Sequence, residues 1–254
     1  MSINIVRTNS DNFPDKVAVC GLGPADESLI LGARRKRVEW AYGKLRKGLL
    51  LNTATDHGEV AGQITALPIS ESPIEIECRD SWYIPCIWMP PGHASPFLGE
   101  QLVAKVVAQL RGKAKALLTI SSENWMNHRS FLESFGFECR GEISRVGGSV
   151  DIMALPMSGE VPPVEIFEKK LPPERPGRVD FFFSRHCPTH NITLYRLRKE
   201  LAGGEAEFEL RVHCADDRDV IREYGYSFGL FYNGQSILRP YLQGSRLADL
   251  IKER

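Results

Sequence analysis

Apolar residues fall along this chain in two recurrent forms, short unbroken blocks and stripes at helical spacing, and residues 82–110 hold one of each in succession. Residues 82–89 (Trp-Tyr-Ile-Pro-Cys-Ile-Trp-Met) are apolar almost throughout, too few for a globular helix and rich in aromatics and isoleucine. That is the pattern of a central strand buried on both faces. Pro90, Pro91 and Gly92 stop it. A helix is predicted to open at Gly99 or Glu100, with Leu102, Val103, Val106, Val107 and Leu110 along one face. A strand passing through a short loop into a helix leaves backbone N–H groups at a partly positive helix end, where phosphate can be received. This is the best candidate ligand site in the chain.

Before that block, residues 3–7 read as a strand and 10–32 carry little pattern. Residues 32–48 read as a helix with Val38, Ala41, Tyr42 and Leu45 on one face and Gly48 as its stop. Its Arg34-Arg35-Lys36-Arg37 run reads first as a solvated face, with contact to phosphates or nucleic acid as the alternative. Residues 49–52 and 60–69 read as strands around the turn signal Asp56-His57-Gly58, and 75–80 leads into the central strand. Beyond the long helix, 116–120 is another buried strand and 121–124 supplies capping residues. Phe131, Leu132 and Phe135 line a helix closed by Gly136, and 137–157 makes two strands turned at Gly147-Gly148.

From 158 to 177 the pattern yields to Pro162-Pro163, Pro172-Pro173 and Pro176-Gly177, which predict a semi-rigid connector. The expected domains are 1–158 and 178–254, joined by 159–177. In the second, residues 179–183 form a buried strand and 186–190 (His-Cys-Pro-Thr-His) a short turn. A helix runs through Leu194, Leu197 and Leu201 to Gly203-Gly204, and 208–212 is a strand. Asp216-Asp217 caps a helix through Val220, Ile221 and Tyr224. Strands at 228–232 and 236–238 are joined by Asn233-Gly234, and a last helix starts at Ser245.

Composition narrows the class. The 254 residues are 43% hydrophobic and 25% charged, ordinary for a globular protein, with Lys+Arg and Asp+Glu balanced at 32 each, so no global field favours nucleic acid or an anionic membrane. Six cysteines are scattered with no Cys-x-x-Cys and no zinc spacing, so no metal site is expected. No segment approaches the roughly twenty apolar residues of a membrane span, and no signal core opens the chain; a cytoplasmic protein with reduced thiols is expected.

Met89-Pro90-Pro91 at the strand end, Gly99, and Leu102-Val103 in the following helix resemble the coenzyme-binding core of the GNAT superfamily of N-acetyltransferases, in which a loop patterned (Arg/Gln)-x-x-Gly-x-(Gly/Ala) wraps the pyrophosphate of acetyl-CoA. Here Ala94 stands in place of Arg or Gln, Phe97 in place of the middle glycine, and Pro96 lacks an N–H. Residues 131–137 (Phe-Leu-Glu-Ser-Phe-Gly-Phe) resemble the family's second coenzyme motif, with Leu132 where a tyrosine acid often lies. The order strand–helix–strand–helix–hairpin–helix resembles a thioredoxin-like fold, with Cys187 where that fold carries its first active-site cysteine. Together with Cys187-Pro-Thr-His190, residues 231–234 (Phe-Tyr-Asn-Gly) and residues 81–88, it is similar to the YoaP-like acetyltransferases from about Gly62 onward.

The resemblance implies an α/β (α+β) chain: a GNAT acyltransferase fold with a mixed central sheet, then a small thioredoxin-like domain. The implied activity is acetyl-CoA-dependent N-acyl transfer to a small-molecule or peptide amine, with acetyl-CoA as cosubstrate. The alternative is a catalytically silent GNAT fold serving as a binding or thiol-dependent module. The coenzyme is expected along Ile87, Trp88, Met89, His93, Ala94, Ser95, Phe97, Leu98, Gly99 and Glu100. Acetyl transfer also needs a base for the ammonium proton. Asp80 or Glu77 are the nearest carboxylates, Tyr83 is the candidate acid, and each has a bland reading as a loop or core residue. Cys187 is expected at a helix N-terminus beside His186 and His190, which would lower its pKa; the place of a resolving cysteine is taken by His190, so no dithiol cycle is expected unless Cys214 or another molecule supplies the second sulfur, and the alternative is an inert cysteine of the scaffold.

Overall fold

Residues that alternate inward and outward, or point inward on both faces, pair among the described residues into a seven-stranded sheet, a four-stranded sheet and a two-stranded ribbon. The computed structural model describes residues 3–9, 27–93, 95–122, 128–145, 148–202, 208–242 and 244–252. Expectations on residues 10–26, Ala94, Asn124, Gly147 and Gly203-Gly204 lie outside them. The first half runs β1 (Ile3–Arg7), α1 (Glu27–Leu45), β2 (Leu50–Asp56), β3 (Glu59–Pro68), β4 (Ile76–Glu77), β5 (Ser81–Trp88), α2 (Pro96–Leu110), β6 (Ala116–Ile120), α3 (Arg129–Ser134), β7 (Glu138–Arg145) and β8 (Gly148–Pro156). The chain continues through β9 (Glu165–Ile166), β10 (Arg178–Phe183), α4 (Pro188–Ala202), β11 (Glu209–Cys214), α5 (Arg218–Tyr224), β12 (Gly229–Tyr232), β13 (Gln235–Ser236), α6 (Leu238–Leu242) and α7 (Leu247–Lys252).

The large sheet has the order β1-β2-β3-β5-β6-β8-β7 and is antiparallel except at β5–β6. The small sheet has the order β11-β10-β12-β13, with β10 and β11 parallel and the other pairs antiparallel. The fold is therefore α/β with a mixed central sheet. On one face of that sheet α2 and α3 bury Ile64, Ile84, Ile87, Leu117 and Met153 beneath Leu98, Leu102, Val106 and Leu132. On the other, α1 sets Trp40 and Ala41 against Leu49, Leu51 and Leu67. The second half has its own core of Phe181, Leu194, Leu197, Leu230 and Leu250.

Several boundaries differ from the sequence reading, each for a local reason. Helix α2 opens at Pro96 because Ser95 caps it, its Oγ accepting from the Leu98 N–H at 3.2 Å, and proline in the first turn gives up an N–H that has no helical partner. Residues 75–80 are strand only at Ile76–Glu77; Asp80 takes a left-handed φ of 54°, which turns the chain before β5. His128, not a residue of 121–124, caps α3. Leu238 begins a helix rather than extending the hairpin.

The proline-rich segment is a strap rather than a free connector. β9 pairs with β4, Ile166 opposite Ile76, the Phe167 N–H donates to the Glu75 carbonyl at 3.0 Å, and the Lys170 N–H donates to the Tyr224 carbonyl at 2.9 Å. Arg218 of α5, buried, donates to the carbonyls of Ser72, Ile74 and Ile76 and to the Glu77 carboxylate. Helix α4 lies against α1. The second half is thus docked on the α1 face of the first.

Candidate active site

The parallel ladder between β5 and β6 covers only Ser81–Ala116, Trp82–Leu117 and Tyr83–Leu118. β5 then runs on to Trp88 and β6 to Ile120 without pairing to each other, so the strands part into a wedge, with Thr119 Oγ1 donating to the Ile84 carbonyl at its apex (3.0 Å). The cause sits in the sequence of β5. Ile84 and Pro85 together oppose the single residue Ala66 of β3, a bulge that re-aims the strand, and Pro85 has no N–H to lose there. Helix α2 departs from the mouth of this wedge, so the predicted strand–loop–helix succession is present.

The phosphate seat is less open than the sequence suggests. Pro96 has no N–H, the Leu98 N–H is taken by Ser95 Oγ, and the Gly99 N–H by the Ser95 carbonyl at 3.2 Å. Gly99 serves packing: a Cβ there would lie 2.9 Å from the Phe131 ring. At this position α2 comes into close approach with α3. Ile87, Met89 and Leu98 point their side chains into the α2-side core, so only their backbone is available to a ligand. Trp88, His93 and Ser95 are partly accessible, Glu100 is exposed, and Phe97 is 66% exposed at the helix mouth.

The catalytic candidates separate. Asp80 lies exposed at the opposite end of β5, beside Arg79 and Lys115, roughly 25 Å along the strand from Trp88. Glu77 is engaged with Arg218. Neither reaches the wedge. Tyr83 is buried at 3% exposure, and burial first, then the charges of Glu75 and Cys86 against that of Arg145, raises its pKa above the ordinary phenol range. Cys187 alone comes to β5, brought there by the second half.

That approach creates a polar cluster the sequence did not reveal. Arg37, buried on α1, donates to the His186 carbonyl at 2.7 Å and reaches Gln63 Oε1 (3.3 Å) and Thr65 Oγ1 (3.4 Å) on β3. Those two residues pair in register with Trp88 and Cys86. Ser184 Oγ donates to Asp216 Oδ1 at 2.5 Å, so its 2.9 Å contact with His186 Nδ1 is accepted from that nitrogen. The neutral ring then carries its lone pair on Nε2. Burial first, then the neighbouring His190 ring and the charges of Arg37 and Arg145, which would all oppose a proton here, hold the His186 pKa well below its ordinary value. His190, stacked on Phe228 at 3.9 Å and accepting from the Ser184 N–H, is lowered by burial to about 3.

The thiol expectation is corrected in direction. Burial raises the Cys187 pKa; the N–H groups of His190 and Thr189 and the charge of Arg37 pull the other way without winning, and neither histidine supplies charge. Glu75 of the first half accepts from the N–H and Oγ of Ser227 (3.0 and 2.6 Å) and pairs with Arg145 Nη2 at 2.6 Å. Burial works against its ionisation, but Arg145, Ser227 and Lys169 bring its pKa down to about 2. Arg37 and Glu75 escaped sequence reading because their partners lie far along the chain. The one available signal was Arg37 standing on the same helical face as Ala41. Among the described residues no group of His, Cys, Asp or Glu has metal-binding geometry, and no helix is long and apolar enough to cross a membrane.

No protein-family model matches the chain, and no curated protein does. Among solved structures it is similar to the ribosomal-protein-alanine N-acetyltransferase from Brucella melitensis, with 18% identity over 60% of this chain and 99% of that one and a TM-score of 0.46. It is also similar to the ribosomal-protein-S18-alanine N-acetyltransferase from Escherichia coli (17%, 62% and 96%, 0.41) and to a GNAT family acetyltransferase from Elizabethkingia anophelis with acetyl-CoA bound (16%, 61% and 97%, 0.38). With TM-scores below 0.5 these likenesses are loose, and the case for the site rests on its own geometry.

Proposed function

We propose that the first half is an acetyl-CoA-dependent N-acyltransferase of GNAT type and that the second half is a YoaP-like, thioredoxin-like module closing over its acceptor side. The observation that carries this reading is the wedge between β5 and β6. An extended thioester arm lying in it can bond to the strand edge past Tyr83, with its pyrophosphate near residues 95–97 at the α2 mouth. Trp88, Ser95 and the backbone of 87–89 would hold it. The thioredoxin-like assignment of residues 178–254 draws support from the sheet order β11-β10-β12-β13 and from Cys187 directly ahead of α4.

The residues of this chain contribute chiefly position. Arg37, Gln63 and Thr65 form a fixed polar floor beside Cys86 and Trp88, and His186 Nε2 offers an acceptor for an amine N–H. With both nearby imidazoles held neutral and no carboxylate among the sequence-derived candidates reaching the wedge, the acceptor amine reacts in its uncharged form. The acceptor is a small molecule or peptide amine entering from the side where the two halves meet.

Thermal unfolding with acetyl-CoA tests the reading. A ligand binding only the folded state at 100 times its dissociation constant stabilises it by about 2.7 kcal/mol. Phe97→Glu is the matched variant: an acid in the first turn suits the helix dipole, yet it repels a pyrophosphate. It is expected to melt no earlier than the parent while binding acetyl-CoA at least tenfold more weakly. Unchanged melting of the parent in millimolar acetyl-CoA and CoA sinks the coenzyme assignment.

A further inference from the structure

The two halves enclose, along their seam, a cavity of about 560 Å³ that the coenzyme reading does not use. It lies between α1 and α4, on the outer side of the turn whose next two residues, His186 and Cys187, face Arg37 and β5. Leu29 and Ala33 of α1 and Ile192 and Tyr195 of α4 give it apolar walls, and Tyr195 is 51% exposed. Around them stand three cations, Lys36, Arg185 and Arg198, and among the described residues no Asp or Glu lines the space. In a chain with equal numbers of acids and bases, that one-sided lining sets this surface apart.

The partners of those cations lie outside the cavity. Lys36 meets Glu39 on the solvent face of α1 at 3.0 Å. Arg185 gives its Nε to Asp216 at 2.7 Å, on a carboxylate already accepting from Ser184. Arg198 makes no ion pair among the described residues. Its guanidinium is therefore the donor at hand, with the Arg185 guanidinium, held by Asp216 and the Cys214 thiol, beside it, and a guanidinium fork suits a carboxylate or phosphate. The volume falls within the about 300–1,000 Å³ of small-molecule sites. An apolar trough with a cationic rim selects one chemistry.

We propose that this seam cavity binds a small anion carrying an apolar body, an alkyl carboxylate or alkyl phosphate, with the chain along Leu29, Ala33 and Tyr195 and the head at Arg185 and Arg198. The site spans both halves, so its occupant bridges them. It does not depend on the coenzyme reading, and its test reads a different ligand.

Calorimetric titration of the full chain with octanoate and with octyl phosphate, against 1-octanol and octylamine, decides it. At least one anion is expected to bind with a stoichiometry of one and at least ten times more tightly than the alcohol or the amine, and the tighter of the two identifies the head group. The double variant Lys36→Glu, Arg198→Glu changes two exposed positions and should keep the parent's melting temperature while losing at least tenfold in affinity. Should the double variant not fold, each single variant is expected to lose about threefold. Equal binding of octanol and both anions overturns the proposal, as does a folded charge-reversed variant that binds like the parent.

Discussion

At His186 and His190 the enclosure that gives each ring a fixed hydrogen-bonding role also forbids it charge. His190 titrates at about 3 in the folded chain against 6.5 when free, and His186 is shifted in the same direction. The unfolded chain takes up protons below about 6.5 that the folded chain refuses, so stability present at neutral pH drains away as the pH falls toward 3. Glu75 adds a later loss, because its carboxyl moves from 4.5 to about 2 and its stabilisation fades between those values. Urea midpoints are thus expected to fall steadily from about pH 6.5 downward, each histidine contributing at most about 1.4 kcal/mol per pH unit. His190→Gln should flatten that slope. A midpoint unchanged from neutral pH to pH 5 contradicts the enclosure of both rings. The same desolvation reverses the expected activation of Cys187, and iodoacetamide should label this thiol no faster than an unperturbed one at neutral pH, as mass spectrometry of the labelled peptide would show. A labelling rate well above that reference shows a thiolate and overturns the raised pKa.

Among the elements, the short β4–β9 pair shows what holds the seam together. Arg218 crosses from α5 to satisfy the carbonyls of Ser72 and Ile74 ahead of β4, that of Ile76 within it and the Glu77 carboxylate, while its guanidinium stacks 5.1 Å from the Phe167 ring. Arg218→Met keeps the bulk but leaves those acceptors unpaired in a buried place, so a loss of at least about 3 kcal/mol in urea unfolding is expected. A loss under 1 kcal/mol would mean that water replaces the guanidinium without strain. Elements of this kind were the least legible in the sequence. The block 82–89, the stripe from Leu102 to Leu110 and the Asn233-Gly234 turn announced themselves through periodicity and turn chemistry, which are local. The wedge was legible only as a strand end followed by a helix, since the bulge at Pro85 needs β3 to define it. Proline density at 159–177 suggested a spacer because nothing local predicts that Ile166 meets Ile76. The charge run at 34–37 divides for the same reason: Arg35 and Lys36 are solvated beside Glu39, while Arg37 is the anchor of the polar floor.

For the molecule as a whole, two cores joined by buried ionic contacts are expected to unfold together. All four tryptophans (Trp40, Trp82, Trp88 and Trp125) precede residue 158, so their fluorescence reports the first half while far-ultraviolet dichroism reports both. Coincident thermal transitions by the two probes are expected; two separated steps would show the halves to be independent. The contact between Glu75 and Ser227 carries one more consequence. Ser227 stands just ahead of β12, buried where the second half meets the segment before β4. Here its N–H and hydroxyl are both given to a carboxylate from the same polypeptide, at the high effective concentration of an intramolecular partner. The seam is therefore closed from within: any outside carboxylate that reached these two donors would have to displace one that the chain itself supplies.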